Sequence, residues 1–390
     1  MLNLTLARER LRSQWIDPPM TAQAPEEVVA HMGGMQAQDY GQAVWAIGLR
    51  CGATLAQVED ALRARKIVRL WLMRGTIHFA PTHAVQAMLS VTRPRMLQAM
   101  AARLRELKLD AVTLDASSAL LVNALRQHGE LDRATLLRLL DEGGISPVGQ
   151  RGYYMLNYAG IQGLIAMGIE MKKNPTYFAL DALERAQPEA GLIALVTRFF
   201  ASHGPAMLDD FVRWTGVTLG AARRGLALCG EMLTPPDEDG MIRGKSTDTP
   251  PADTNLTPQR LDTSTSRPPL RARRGDGGEV LNTAHVFDVR SGVHLLPGFD
   301  EYFIGYRDRG ALLDPAHADK IVPGGNGIFK PMIVSDGEIC GVWSREMKRP
   351  RVIITPAPFR ALRDDERAGV EAAAARYGAF LGMAAEVKWG

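Results

Sequence analysis

Two glutamines separated by a single residue are the side chains best placed to do chemistry in this sequence. Gln36 and Gln38 follow the double glycine Gly33-Gly34. Residues two apart lie ~200° apart around an α-helix, but they point to the same side of an extended backbone. Because glycine costs ~1 kcal/mol relative to alanine inside a helix, the double glycine predicts a helix break before the glutamines. Two amides on one side offer donors and acceptors that can hold a water molecule or read the edge of a base.

A surface loop gives a simpler interpretation of the same residues. Glutamine is mostly exposed in folded proteins, and an arbitrary Gln-x-Gln pattern usually carries no chemistry. The rest of the chain must therefore decide between the two interpretations.

The length and charge of the chain limit the classes to which it can belong. With 390 residues, of which 46% are hydrophobic, we expect about two to four domains with substantial cores. The 46 Lys and Arg side chains exceed the 43 Asp and Glu side chains by 3. So small an excess neither requires nor excludes nucleic acid as a partner, and any basic surface must be local.

Cysteine spacing argues against a disulfide framework and against a metal site. Cys51, Cys229 and Cys340 lie far apart and show no ligand-like spacing with histidine, which fits a reducing compartment. Charges interrupt the apolar run of the first ten residues early, unlike a signal peptide. No stretch approaches the ~20 apolar residues of a membrane span. These features predict a soluble, cytoplasmic protein without a bound metal.

The first 81 residues have the element order of a winged helix-turn-helix unit, which is three helices followed by a β-hairpin. Thr54 and Gln57 have the spacing of a capping box at the start of a helix. Two β-prone runs flank Arg74-Gly75, which predicts a hairpin. The predicted elements are helices at 4–15, from Pro25 and at 54–65, and strands at 67–73 and 76–80.

The same order of elements recurs twice after a basic helical spacer. In the second unit we expect Asp115 and Asp132 to cap two helices, a third helix to span 148–167, and a hairpin with a basic tip to follow. In the third unit we expect helices at 189–202, 207–214 and 218–228 and a wing at 232–242. The predicted boundaries are 1–81, 82–110 for the spacer, 111–182, 183–243, 244–279 for an insertion and 280–390.

The last two predicted segments differ from the helical part in composition and in hydrophobic pattern. Residues 244–279 are rich in Thr, Pro, Asp and Arg and nearly lack apolar residues, so we expect a flexible insertion. From residue 280 the pattern becomes that of short strands, and Asp336-Gly337 between alternating runs predicts a hairpin. A closing helix is expected at 362–377. The fold class is therefore α+β, with the strands of the last segment predicted to form a small β-barrel or sheet.

Four motifs in this order resemble those of the AlkZ/YcaQ-like DNA glycosylases, often labelled winged helix DNA-binding proteins. Gln36-Ala37-Gln38 alone is weak evidence, whereas the four together are specific and span most of the chain outside 244–279. The other three motifs are Arg74-Gly75-Thr76-Ile77-His78-Phe79, Leu296-Pro297-Gly298-Phe299-Asp300 and Asp336-Gly337-Glu338-Ile339-Cys340-Gly341-Val342-Trp343.

The resemblance implies a fold and an activity. Three tandem winged helices would support a C-terminal β-barrel in a C-shaped clamp around double-stranded DNA. The enzyme would remove alkylated purines, and some members of the family also unhook interstrand crosslinks. It would need no cofactor and act as a monomer on DNA in the nucleoid. Gln36 and Gln38 would be the catalytic residues.

The implied chemistry is consistent with two neutral side chains. A purine alkylated at N7 or N3 is already cationic, so it leaves without acid assistance. The amides then need only place a water molecule behind the sugar C1′ and stabilise an oxocarbenium-like sugar. Some family branches carry Gln-x-Asp, so Asp39 is an alternative base, although in extended backbone it faces away from both glutamines.

Further candidates for DNA contact come from the hairpins. Arg74 is predicted to contact a phosphate and His78 to line the DNA cleft, with the alternative that His78 is a hairpin residue satisfied by backbone. Lys172, Lys173 and Asn174 form a wing tip suited to phosphate contact. The alternative for the lysines is a solvated turn.

The C-terminal segment supplies the remaining candidates. Asp300-Glu301-Tyr302, flanked by Arg307 and Arg309, is predicted to place polar groups near the lesion, with Asp300 and Tyr302 lining the active site. The alternative is a salt-bridged corner of the barrel. Lys330, beside the Asn326-Gly327 turn, is a further candidate for groove contact.

A non-enzymatic DNA-binding protein, such as a transcriptional regulator, is the second function class. Regulators of this type usually dimerise to match a palindromic site. Three tandem units within one chain favour a monomer that acts on lesions instead.

Overall fold

The computed structural model of the protein describes residues 2–171, 174–181, 186–245 and 292–390. These residues form a mixed α+β fold, as predicted. Except for Gly244 and Lys245, the predicted insertion lies outside the described residues. Within the described ranges, no helix combines the length and the apolar character that crossing a membrane requires.

The helices and the hairpin predicted for residues 1–81 are present, together with a helix at Tyr40–Cys51 that was not predicted. Thr54 and Gln57 make the capping box, with the Thr54 N–H donating to Gln57 Oε1 at 2.8 Å. Strands β2 (Ile67–Leu72) and β3 (Thr76–Pro81) form the predicted hairpin around Arg74-Gly75. The elements are α1 (Leu4–Ser13), α2 (Pro25–Met32), β1 (Met35–Gln36), α3 (Tyr40–Cys51), α4 (Leu55–Arg63), β2 (Ile67–Leu72) and β3 (Thr76–Pro81).

The second unit differs from prediction at two places. Asp110, not Asp115, caps the first helix, since its Oδ1 accepts from the Thr113 N–H at 2.8 Å. The third helix ends at Ile161, because Gly163 takes a φ of +74° and the chain then enters a strand. The elements are α5 (Val85–Glu106), α6 (Ala111–His128), β4 (Leu131–Asp132), α7 (Arg133–Glu142), α8 (Arg151–Ile161), β5 (Ile165–Met171) and β6 (Asn174–Ala179).

The hairpins of the first two units belong to one six-stranded sheet. Its strand order is β1-β3-β2-β5-β6-β4. Arg69 of β2 pairs with Met167 of β5 and joins the two hairpins. The two wings are therefore continuous with each other, which the sequence did not predict.

The third unit has its three helices but not a regular wing. They are α9 (Pro188–His203), α10 (Leu208–Thr215) and α11 (Leu219–Cys229). The segment 232–242 turns back on itself and makes isolated bridges, Ala206 with Ile242 and Leu233 with Gly244. Pro235-Pro236 removes two backbone N–H donors there, so a regular ladder cannot form.

The C-terminal segment is a five-stranded sheet. Its closing helix α14 (Asp364–Leu381) packs against β7 (Val293–Leu296), β10 (Arg351–Pro358) and β11 (Ala384–Val387). Asp336-Gly337 forms the predicted turn between β8 and β9. The strand order β11-β10-β9-β8-β7 has two ends among the described residues, so the sheet is open rather than a closed barrel. The elements are β7 (Val293–Leu296), α12 (Glu301–Ile304), α13 (Ala318–Ile321), β8 (Met332–Ser335), β9 (Glu338–Lys348), β10 (Arg351–Pro358), α14 (Asp364–Leu381) and β11 (Ala384–Val387).

The C-terminal sheet is anchored directly to the first unit. The indole N–H of Trp45 on α3 donates to the Leu295 carbonyl of β7 at 2.8 Å. The same ring packs edge-on against Tyr377 of α14, with centroids 5.0 Å apart. These contacts hold the segment that follows β7 next to the Gln-x-Gln segment.

Candidate active site

Gln36 ends the short strand β1, Gln38 lies in the bend that follows it, and burial alternates over residues 35–38. Met35 and Ala37 are buried, whereas Gln36 is half-buried and Gln38 is exposed. Gln36 pairs with His78 across β1 and β3, and the Ala37 N–H continues the ladder by donating to Ile77 O at 2.8 Å. Both glutamines are therefore at least partly open to solvent, while the residues before and between them are buried.

Glycine geometry makes this short strand possible. Gly33 ends α2 in the left-handed region with a φ of +72°. Gly34 follows with a φ of +143°, and a Cβ on it would lie 2.9 Å from the Met73 side chain. Because L side chains rarely adopt such a φ, the double glycine sets the direction in which the strand leaves the helix.

Asp39, the alternative base, has a structural role at the next helix. Its side chain is exposed, and its Oδ1 accepts from the Gln42 N–H at 3.1 Å as the N-cap of α3. Gln42 in turn accepts from the Gly298 N–H at 3.1 Å through its Oε1. The start of α3 is thereby tied to the turn that precedes α12.

A buried carboxylate from that turn holds the Gln-x-Gln strand. Glu301 Oε1 accepts from the Gln36 backbone N–H at 2.8 Å, and Oε2 accepts from the Trp214 indole N–H at 3.1 Å. His203 Nε2 lies 3.6 Å from Oε2. Burial acts to raise the pKa of Glu301, but His203 and the Gln36 N–H outweigh it and keep that pKa below its ordinary value. The side chain is therefore a charged group in the interior.

Glu301 was predicted from the sequence to lie in a polar run near the lesion, without a specific partner or role. The available signal was an acid directly before the apolar run Tyr302-Phe303-Ile304, and the structure buries the whole stretch 300–306. A buried acid needs donors, but the sequence does not tell which ones.

His78 is buried in its hairpin instead of lining a cleft. Its side chain is 1% exposed, and Nδ1 lies 2.9 Å from Thr76 O. Burial, together with the nearby Arg74 guanidinium, lowers the pKa of His78 to about 4. The alternative interpretation of His78 as a hairpin residue satisfied by backbone is the one that the structure supports.

Arg74 also has a structural partner. Its Nη1 donates to the carbonyls of Arg213, at 2.8 Å, and of Trp214. These carbonyls belong to the last turn of α10, where a cation is favourable for the helix dipole. Burial lowers the pKa of Arg74. Its Nη1 therefore joins the first hairpin to α10, while the residue is exposed, so phosphate contact by Arg74 stays a prediction.

Asp300 and Tyr302 lie in the core and do not line an open surface. Both Asp300 oxygens accept from the Arg50 guanidinium, at 2.8 and 3.0 Å, and both side chains of this pair are fully buried. The Tyr302 hydroxyl donates to Gly337 O at 2.7 Å. The predicted alternative of a salt-bridged corner is thus found, with Arg50 as the cation in place of Arg307 or Arg309.

The remaining candidates differ in accessibility. Arg307 is exposed and pairs with Asp209 at 2.7 Å. Arg309 donates to Phe303 O at 2.8 Å, and burial lowers its pKa to about 10. Lys330 and Asn174 are exposed. Lys172 and Lys173 lie outside the described residues.

The exposed Lys330 belongs to a loop that packs on the turn before α12. Phe329 stacks at an angle against Phe299, with centroids 5.3 Å apart, and edge-on against Phe303 at 5.9 Å. Lys330 therefore lies beside the turn that carries Glu301. Asn174 lies in the β5–β6 hairpin of the six-stranded sheet.

Comparisons with known proteins identify the family of this chain. The model of the family described as AlkZ-like DNA glycosylase matches residues 29–380. An interstrand DNA cross-link repair glycosylase from Streptomyces sahachiroi is 22% identical, over 93% of this chain and 91% of its own length. The solved structure of the DNA glycosylase AlkZ from the same organism has a TM-score of 0.70 at 19% identity, and the match covers both chains in full. The chain belongs to the AlkZ-like family of DNA glycosylases.

Proposed function

We propose that this DNA glycosylase hydrolyses the N-glycosidic bond of purines made cationic by alkylation at N7 or N3, with Gln36 and Gln38 as catalytic residues. The observation that supports the proposal is the alternation of burial along residues 35–38, in which the two glutamines are accessible while Met35 and Ala37 are buried. Neutral amides are poor bases, so they suit a leaving group that already carries positive charge.

In this mechanism the two glutamines act on the water and on the sugar. Their amide oxygens orient a water molecule behind C1′, which supplies several kcal/mol of the barrier through positioning. The same oxygens interact favourably with the oxocarbenium-like sugar as the purine leaves. Asp39 is less suited to be the base, because its Oδ1 already caps α3.

For the DNA partner, we propose a clamp built from three winged-helix units and the C-terminal sheet. Phosphate contacts are assigned to the exposed residues Lys330, Arg307 and Asn174, together with Lys172 and Lys173. Since a relative is named for crosslink repair, unhooking of interstrand crosslinks between alkylated purines is part of the proposal. A monomer is the expected acting form.

The test is release of bases from randomly methylated duplex DNA under single-turnover conditions. Gln36→Ala and Gln38→Ala are expected to reduce release at least 100-fold, the order of loss seen when one group that stabilises a transition state is removed, while DNA binding survives. Gln127→Ala, at an exposed glutamine of α6, is the matched control and should release bases normally.

Two results would overturn the proposal. Full activity in both glutamine variants would remove the assigned catalytic residues. Wild-type protein that leaves alkylated purines intact but binds one DNA sequence tightly would support a regulator instead. Binding itself should weaken steeply with salt, because phosphate contacts release counterions.

A further inference from the structure

Two consecutive acids at the start of α12 are both buried, yet they are stabilised in different ways. Asp300 is neutralised by the Arg50 guanidinium through two hydrogen bonds. Glu301 instead accepts from two neutral donors, the Gln36 backbone N–H and the Trp214 indole N–H. Charge buried without a bonded counter-ion costs several kcal/mol. A role for the charge itself would explain why it is kept.

The groups around Glu301 do not remove its charge. His203 Nε2, at 3.6 Å, is beyond hydrogen-bonding distance. His78 is held neutral at pH 7. Arg74 acts on Glu301 through space, but its donors are directed to the α10 carbonyls. Removing the Glu301 charge would leave the Arg74 charge without this nearby acid, which would make the site less favourable for a cation.

We infer that Glu301 is a positioning residue that fixes the Gln36 backbone and places a permanent negative charge behind the site, so that the site prefers a positively charged sugar ring. The inference rests on the proposed function, since it needs a sugar to lie at the glutamines. The site would then combine one charged carboxylate with the two neutral glutamine amides. Its preferred ligand would be a cationic five-membered ring.

The size of the effect follows from the distance. Glu301 contacts the main chain of Gln36, so we take ~8 Å as the separation between its carboxylate and a cationic ring held by the Gln36 side chain. At an effective dielectric constant of ~20, one unit charge at that distance changes the binding of a cation ~30-fold. A neutral ring of the same shape should be almost unaffected.

The experiment compares two stable abasic-site analogues in duplex DNA. One carries a pyrrolidine ring, which is cationic at neutral pH, and the other a neutral tetrahydrofuran ring. The wild-type protein is expected to bind the cationic duplex more tightly. In Glu301→Gln this preference, measured as the ratio of the two Kd values, should fall ~10- to 30-fold, mainly through weaker binding of the pyrrolidine duplex.

Two further variants separate charge, position and stability. Glu301→Asp keeps the charge but shortens the side chain, so it should retain the preference while base release slows. Glu366→Gln removes another buried carboxylate, 1% exposed and held by Arg360 and Ser335. It should lower stability and leave the Kd ratio unchanged.

The outcomes are distinguishable. An unchanged Kd ratio in Glu301→Gln, or an equal loss for both analogues, would overturn the charge role and leave Glu301 as a structural residue. A changed ratio in Glu366→Gln would overturn it as well, because any buried acid would then suffice. A wild-type protein with neither preference nor base release would instead refute the proposed function.

Discussion

Replacing Asp300 with asparagine tests whether this acid is a structural counter-ion. Arg50 uses all of its N–H groups: Nε donates to Gln14 O, Nη1 to Ala46 O and Nη2 to Gln14 Oε1, each at 2.9 Å, and one further N–H on each Nη donates to Asp300. Asparagine preserves the volume but offers a single acceptor. Its amide NH₂ would face a guanidinium N–H, and the Arg50 charge would lose its partner.

The expected cost is therefore that of breaking a buried ion pair, about 3–5 kcal/mol of the free energy of unfolding. The measurement is urea-induced unfolding, with the midpoint and slope fitted for each protein. The control is Asp209→Asn, which breaks the Arg307 pair at side chains that are 48% and 68% exposed. That variant should lose at most about 1 kcal/mol. Equal losses in the two variants, or a loss below 1 kcal/mol for Asp300→Asn, would refute the reasoning and restore Asp300 as a candidate for the site.

Three further predictions follow from the site. The folded-state pKa of His78 is about 4, against an ordinary value of 6.5. The unfolded chain therefore binds more protons between these values, so stability should fall as pH drops from 6.5 to 4, by at most about 3 kcal/mol, and His78→Gln should flatten this slope in unfolding curves. Gly34→Ala forces an L residue to a φ of +143°, so unfolding should show a loss of ~1–3 kcal/mol and base release should slow. Lys330→Ala should reduce the salt slope of DNA binding by about 1, whereas Arg74→Met should lower stability, because its guanidinium is used by α10.

Features specified by neighbouring residues were predicted well from the sequence. The Thr54–Gln57 capping box, the β2–β3 hairpin and the Asp336-Gly337 turn all depend on residues within a few positions of each other. The helix break before Gln36 belongs to the same class, since α2 ends at Gly33-Gly34. Local geometry of this kind is set by backbone sterics, which the residue types express directly.

Where a segment was compatible with more than one local structure, the prediction from the sequence was wrong. Asp110 and Asp115 are both good N-cap residues, and the additional helical turn is decided by packing of Leu114 into the core. The apolar run that includes 161–167 is compatible with helix or strand. Its hairpin pairing with β6 makes it a strand, and Met167 also pairs with Arg69 of β2, which lies far away in the chain.

The partners of buried charges were the least predictable part of the site. An acid at the start of a buried stretch must find donors, so the sequence of α12 does imply that Asp300 and Glu301 each have partners. It does not distinguish an arginine 250 positions away from a backbone N–H 265 positions away. Yet this difference decides whether the carboxylate is neutralised or keeps its field. If Glu301 were paired with Arg50 and Asp300 with the Gln36 N–H, composition and hydrophobic pattern would be unchanged. The charge behind Gln36 would then be neutralised. The chemistry of the site thus depends on contacts that only the folded chain defines.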